Sequence, residues 1–106
     1  MALLANYVRL EPEKEKCLRF RENSLRIEER TIRDPKTGVV KTVRALVLDV
    51  IEEDGIPVSK TFSTLSEKLA QILYNLHSTG ELYRHYVCIT WHPRDYATEY
   101  EVHLRD

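Results

Sequence analysis

Four histidines, two cysteines and a run of acids are the residues of this chain best suited to bind a metal or move a proton, and their spacing argues against both roles. His77, His85, His92 and His103 fall singly on what reads as a helix end, a loop, a turn and an outward strand face. None has the spacing of a zinc or metalloprotease site. Glu52-Glu53-Asp54 flanks a turn, where a solvated charge run that protects a sheet edge accounts for the acids better than a metal site. Gly38, Gly55 and Gly80 are each taken by a turn or a helix end, which leaves no glycine-rich phosphate loop, and Ser63 and Ser66 have no base at readable spacing. Cys17 and Cys88 are too few and too far apart for a disulfide framework or a zinc knuckle. Two buried thiols are expected, with a single bridge between adjacent strands as the alternative. The expectation is a non-enzymatic chain without cofactor or metal.

What remains is a set of cations near aromatic rings. The chain carries 16 basic and 17 acidic residues, a net charge of -1, yet the charges are not evenly spread. From Cys17 to Arg44 eight basic residues stand against four acids, whereas from Ala45 to Glu81 two stand against six. One pole should therefore attract phosphates, although exposed strand faces need charges in any case. Arg33, Lys36 and Lys41 are the candidate phosphate contacts. A two-residue turn at Asp54-Gly55 with unbroken register pairs Asp49 with Lys60 and Val47 with Phe62. Lys60 and Phe62 then lie outside beside Lys41, with Leu46, Leu48 and Val50 inside. An exposed Phe62 would stack on unpaired bases, at about 1 to 3 kcal/mol per base, whereas a bulge in the hairpin would make it core. Trp91, Arg94 and Tyr96 bracket the last turn, where rings could stack on bases and the guanidinium meet phosphate. Trp91 also continues the phase of Val87 and Ile89, so a place in the core fits it equally.

The elements that position these residues are short and sharply punctuated. Asp34-Pro35-Lys36-Thr37-Gly38, Glu53-Asp54-Gly55 and His92-Pro93-Arg94-Asp95 read as turns. Leu18 and Phe20 alternate with arginines, and the apolar phase then shifts to Leu25 and Ile27 across Asn23-Ser24, which predicts one long, bulged and bent strand. Val39 to Ile51 is apolar on both faces and should lie centrally in its sheet, and Val58 to Ser63 alternates with Lys60 as the exception. Thr64-Leu65-Ser66-Glu67 has capping-box spacing. Leu65, Leu69, Ile72, Leu73 and Leu76 then mark one helical face ending near Gly80. Two alternating strands follow, around Val87 to Trp91 and Thr98 to Leu104. The fold class expected is mainly β with one α-helix, in the order β-β-β-α-β-β, closed into a five-stranded barrel that leaves no bare edges.

A chain of 106 residues fits one domain, 1–106, with 1–16 as an N-terminal extension that could add a strand. No run approaches the roughly 20 apolar residues of a membrane span, and Met1 to Ala5 lacks the features of a signal peptide, so a cytoplasmic protein is expected. Scarce Gln and Asn beside plentiful Glu, Arg and Lys hint at a thermophilic source. The element order from about Cys17 to Leu104, the basic hairpin around Asp34-Pro35-Lys36-Thr37-Gly38 and the late aromatic loop Trp91-His92-Pro93-Arg94-Asp95-Tyr96 resemble small OB-fold single-stranded DNA-binding proteins of archaeal or phage type. That resemblance implies binding of single-stranded nucleic acid, DNA rather than RNA, with little sequence preference. It places the ligand across strands two and three, framed by the first and last strand loops. The partners it implies are the nucleic acid, with a homodimer or replication and repair proteins besides. A protein-interaction subunit that docks through the same barrel is the alternative.

Overall fold

The computed structural model describes residues 6–94 and 98–106. Its elements are β1 (Glu15–Phe20), β2 (Arg26–Arg33), β3 (Val40–Glu53), β4 (Ile56–Thr64), α1 (Glu67–Thr79), α2 (Glu81–Arg84), β5 (Tyr86–His92) and β6 (Glu99–Arg105). The phase shift across Asn23-Ser24 divides the first strand in two. Asn23 adopts a left-handed conformation, Arg21 N donates to Asp49 O at 2.8 Å, and Asp49 N donates to Ser24 Oγ at 3.1 Å. Both pieces run antiparallel to the long β3, with β2 along its first half and β1 along its second. The bend is therefore clamped by Asp49, whose carboxylate also takes Arg21 and, at 3.2 Å, Arg26.

The sheet is six-stranded, in the order β2-β3-β1-β5-β6, with β4 on the other edge of β3. The closed five-stranded barrel expected from the element order does not form, because no ladder joins β4 to β6 among the described residues. The N-terminal extension does not become a full strand there either. Tyr7 makes an isolated parallel bridge to Thr61 on β4, and Pro12 makes another to Trp91 on β5. Val8 and Leu10, between those bridges, pack against the core.

The core gathers Leu18 and Phe20 of β1, Leu46, Leu48 and Val50 of β3, Phe62 of β4, Leu69 and Leu73 of α1, Leu82 of α2, and Val87 and Ile89 of β5. Helix α1 forms as its periodicity predicts, with one change at its start. Ser66 rather than Thr64 is the N-cap and accepts from Leu69 N at 3.2 Å, because β4 continues through Thr64. Leu65 therefore precedes the helix and is exposed. Gly80 closes α1 at φ 81°, a conformation that costs glycine little. The second short helix, α2, was not foreseen. No described helix is long and apolar enough to cross a membrane.

Cys17 and Cys88 are not two free thiols. They are opposite each other on β1 and β5 and form a disulfide. The pairing of β1 with β5 brings together residues 71 apart in sequence, a non-local register that no local pattern reveals.

Candidate nucleic-acid interface

The β2–β3 hairpin leaves the body of the protein as an arm. From Thr31 to Thr42 every residue but Asp34 is exposed, including Ile32, Val39 and Val40. The radius of gyration, 14.6 Å, exceeds the roughly 13 Å of a compact chain this long, as a projecting arm requires. Its tip is tied locally: Asp34 O accepts from Gly38 N and Asp34 Oδ1 from Lys36 N, both at 2.8 Å, while Gly38 takes φ 73°.

Arg33, Lys36 and Lys41 all lie on this arm, and among the described residues none has an ion-pair partner. The ladder places Arg33 opposite Val40 and Lys41 opposite Ile32. Because successive side chains alternate between faces, Lys41 shares a face with Ile32 and Arg30, whereas Arg33 shares the other with Thr31 and Arg44. Lys36 sits at the turn between them. The three cations therefore surround the arm instead of forming one patch.

Of the two registers that the sequence leaves open for Lys60 and Phe62, the bulged one forms. The Asp54-Gly55 turn forms with both residues at positive φ, and Glu53 faces Ile56 as expected. A bulge then sets two residues of β4, Val58 and Ser59, against Ile51, and every later pair slips by one. Phe62 comes to lie opposite Leu48, not Val47, and is 2 % exposed, its ring tilted against Phe20 at 6.0 Å between centroids. It is core. Lys60 lies opposite Val50 and is half-buried, its ammonium 2.6 Å from Glu53, which also accepts from Lys16 at 3.0 Å. Lys60 foremost, then Lys16, holds the Glu53 carboxyl below its ordinary range. Lys60 is thus committed inside the protein, and the expected Asp49–Lys60 pair is replaced by Asp49 with Arg21 and Arg26.

The last-turn candidates are dispersed. Trp91 is half-buried at the end of β5 and faces Tyr100 across the ladder. It lines a cavity of about 220 Å³ with Val8, Leu10, Phe62, Leu69 and Tyr100, and its indole N–H is buried without a partner among the described residues. Arg94 is exposed in the loop after β5, and Tyr96 lies outside the described residues.

The ring that does stand outside beside the arm is Tyr7, which the sequence reading left unassigned. Its backbone neighbours hold it to β4: Val8 N donates to Thr61 O at 2.9 Å and Thr61 N to Asn6 O at 2.8 Å. Tyr7 is 41 % exposed, and the Arg30 guanidinium lies 5.8 Å from its ring centroid. Arg30 Nη2 donates to the Tyr7 hydroxyl at 3.4 Å. This cation–π pair sits on the face of the sheet that also carries Lys41. The signal for it was present in Tyr7-Val8-Arg9-Leu10, where Tyr7 and Arg9 are exposed and Val8 and Leu10 point inward.

His92, at the end of β5, fastens the N-terminal segment to β5 and β6. Its Nδ1 lies 2.8 Å from Glu13 Oε2 and its Nε2 2.9 Å from Glu101 Oε1, so the doubly protonated ring donates to both carboxylates. Glu13 first, then Glu101, raises the His92 pKa above its ordinary 6.5. A raised folded pKa makes the tether complete below about 6.5 and weakens it as pH climbs through the folded value. An NMR titration of the His92 ring should give a midpoint above 6.5 that falls in Glu13→Gln. A midpoint at or below 6.5 would contradict this geometry.

Glu15, Cys17 and Cys88 bring potential ligand atoms within 4.8 Å of one another, but the two sulfurs are bonded together and lack the thiolate charge a metal needs. No protein-family model, curated protein or solved structure matches the chain.

Proposed function

We propose that this chain is a non-enzymatic module that binds single-stranded nucleic acid, DNA in the first instance, with little sequence preference. The observation that carries the reading is the projecting arm. It offers Arg33, Lys36 and Lys41 without ion-pair partners among the described residues, beside an exposed Tyr7 held by Arg30. Phosphates along a flexible strand can meet cations on both faces of such an arm, while an unpaired base stacks on Tyr7. Two features support an opened relative of the small OB barrel as the scaffold. The β1 and β2 pieces run like one bent strand along β3, and β5 adds to β1 as the barrel order requires. The proposed contacts lie on the β2–β3 hairpin, the counterpart of the first strand loop in that resemblance, with Tyr7 beside β4; they do not extend across β4 itself.

The test is a titration of labelled single-stranded and duplex oligonucleotides at low and moderate salt. The single strand is expected to bind more tightly. Tyr7→Ala should weaken its binding by about 1 to 3 kcal/mol, the worth of one stacked base. No binding of the single strand at low salt would overturn the proposal. Exposed Ile32, Val39 and Val40 favour a second reading, an arm that inserts into a partner protein. That complex would respond weakly to salt.

A further inference from the structure

Strand β6 is a sheet edge whose free side has no strand beside it among the described residues. Its hydrogen bonds run to β5, and among the described residues none of its backbone groups bonds elsewhere. Such an edge is a template for another strand unless it is blunted; β6 contains no proline, glycine or bulge, and its charges, which repel most strands, leave a strand of matching charge as the one that fits. Its sequence, Glu99-Tyr100-Glu101-Val102-His103-Leu104-Arg105, is complementary to itself when read outward from Val102. Glu101 answers His103, Tyr100 answers Leu104, and Glu99 answers Arg105.

We propose that β6 is a homodimer interface, in which two copies of this chain pair antiparallel about a two-fold axis through Val102. Directly opposed residues share a face, so Glu99 meets Arg105 of the second copy and Glu101 meets its His103 on one face. On the other face Tyr100 covers Leu104, which is 37 % exposed in the single chain. The two edges supply roughly six to eight new main-chain hydrogen bonds, and the sheet continues across the axis. Register is specified by charge. Centring the pair on Glu101 opposes two glutamates, and centring it on His103 opposes two histidines and leaves two opposite-charge pairs, Glu101 with Arg105, in place of the four that the Val102 axis gives. The contacts these side chains make within one chain are Arg105 to Glu15 at 3.0 Å, and Glu101 to His92 at 2.9 Å and to His103 at 3.4 Å. Glu101 Oε1 keeps His92, while Glu101 Oε2 exchanges its own His103 for that of the second copy and Arg105 exchanges Glu15 for Glu99; Arg105 and Glu101 are well exposed, so these exchanges cost little.

Sedimentation equilibrium on the full chain across the micromolar range tests this. The wild type should show a concentration-dependent dimer. Arg105→Glu and Glu99→Arg should each weaken it about tenfold or more, because symmetry applies each like-charge clash twice. Mixing the two variants restores both opposite-charge pairs in a heterodimer, and so does Glu99→Arg with Arg105→Glu in one chain. Circular dichroism checks that each variant is folded. A monomeric wild type, a dimer indifferent to the single reversals, or a failure of the mixture to recover would each overturn the proposal.

Discussion

Phe62→Ala is expected to lower the unfolding free energy by about 3 to 5 kcal/mol, the range for removing a buried aromatic side chain and leaving a cavity. Phe62 stands opposite Leu48, 2 % exposed and tilted against Phe20, so the truncation empties the middle of the core. Urea unfolding followed by circular dichroism measures the loss. The same variant, assayed where it is still folded, should keep its affinity for single-stranded DNA. A ring outside the protein would show the reverse, with stability changed by less than about 0.5 kcal/mol and affinity lowered. That reverse pattern would mean that the bulge at Val58 and Ser59 does not exist.

Joint replacement of Cys17 and Cys88 by alanine should cost about 4 kcal/mol, from the loop-closure entropy returned to the unfolded chain when a link spanning 71 residues is lost. Domains this size hold only about 5 to 15 kcal/mol in total, so the loss is a large part of the whole. The position of the link sharpens the expectation. In the order β2-β3-β1-β5-β6, the β1–β5 pairing is the one ladder among the described residues that joins the hairpin half of the sheet to its C-terminal half, and the disulfide lies within it. Unfolding the wild type with and without reductant, beside the double alanine variant, measures the effect. A loss below about 1 kcal/mol in both comparisons would contradict it.

Local patterns carried the reading of the sequence as far as local physics reaches. Helix α1 was legible because Leu69, Ile72, Leu73 and Leu76 recur at helical spacing, and Gly80 suits its left-handed end. The hairpin turns were legible because Asp34-Pro35-Lys36-Thr37-Gly38 and Asp54-Gly55 favour tight turns, and the latter sits at positive φ. The bend between β1 and β2 showed as a shift in apolar phase. The register of β4 did not emerge, because one inserted residue moves every later side chain to the other face. Its trace was Lys60, a cation standing in the apolar phase of Val58 and Phe62. In the fold that cation is accommodated by Glu53. The Cys17–Cys88 bond and the open seam between β4 and β6 depend on which distant strands pair, and such choices leave no periodic mark.

The candidate site divides along the same line. The exposure of Arg33, Lys36 and Lys41 was legible because a basic run around a turn marks a solvated hairpin wherever the hairpin points. Of the two places open to Phe62 the bulged register selects the core, and it carries Lys60 to Glu53; Trp91, open to either place, is half-buried. Tyr7 was missed because its exposure beside Arg30 arises only when the N-terminal segment lies along β4.

If the arm's cations, unpaired among the described residues, hold the phosphates of a single strand, the salt dependence of binding shows it most directly. The slope of log affinity against log salt for a single-stranded oligonucleotide should be about -0.7 for each phosphate neutralised. Replacing Arg33, Lys36 and Lys41 together by alanine should make that slope shallower by about 2 and weaken binding at low salt. Equal slopes for the two proteins, or no binding by the wild type at low salt, would contradict the account.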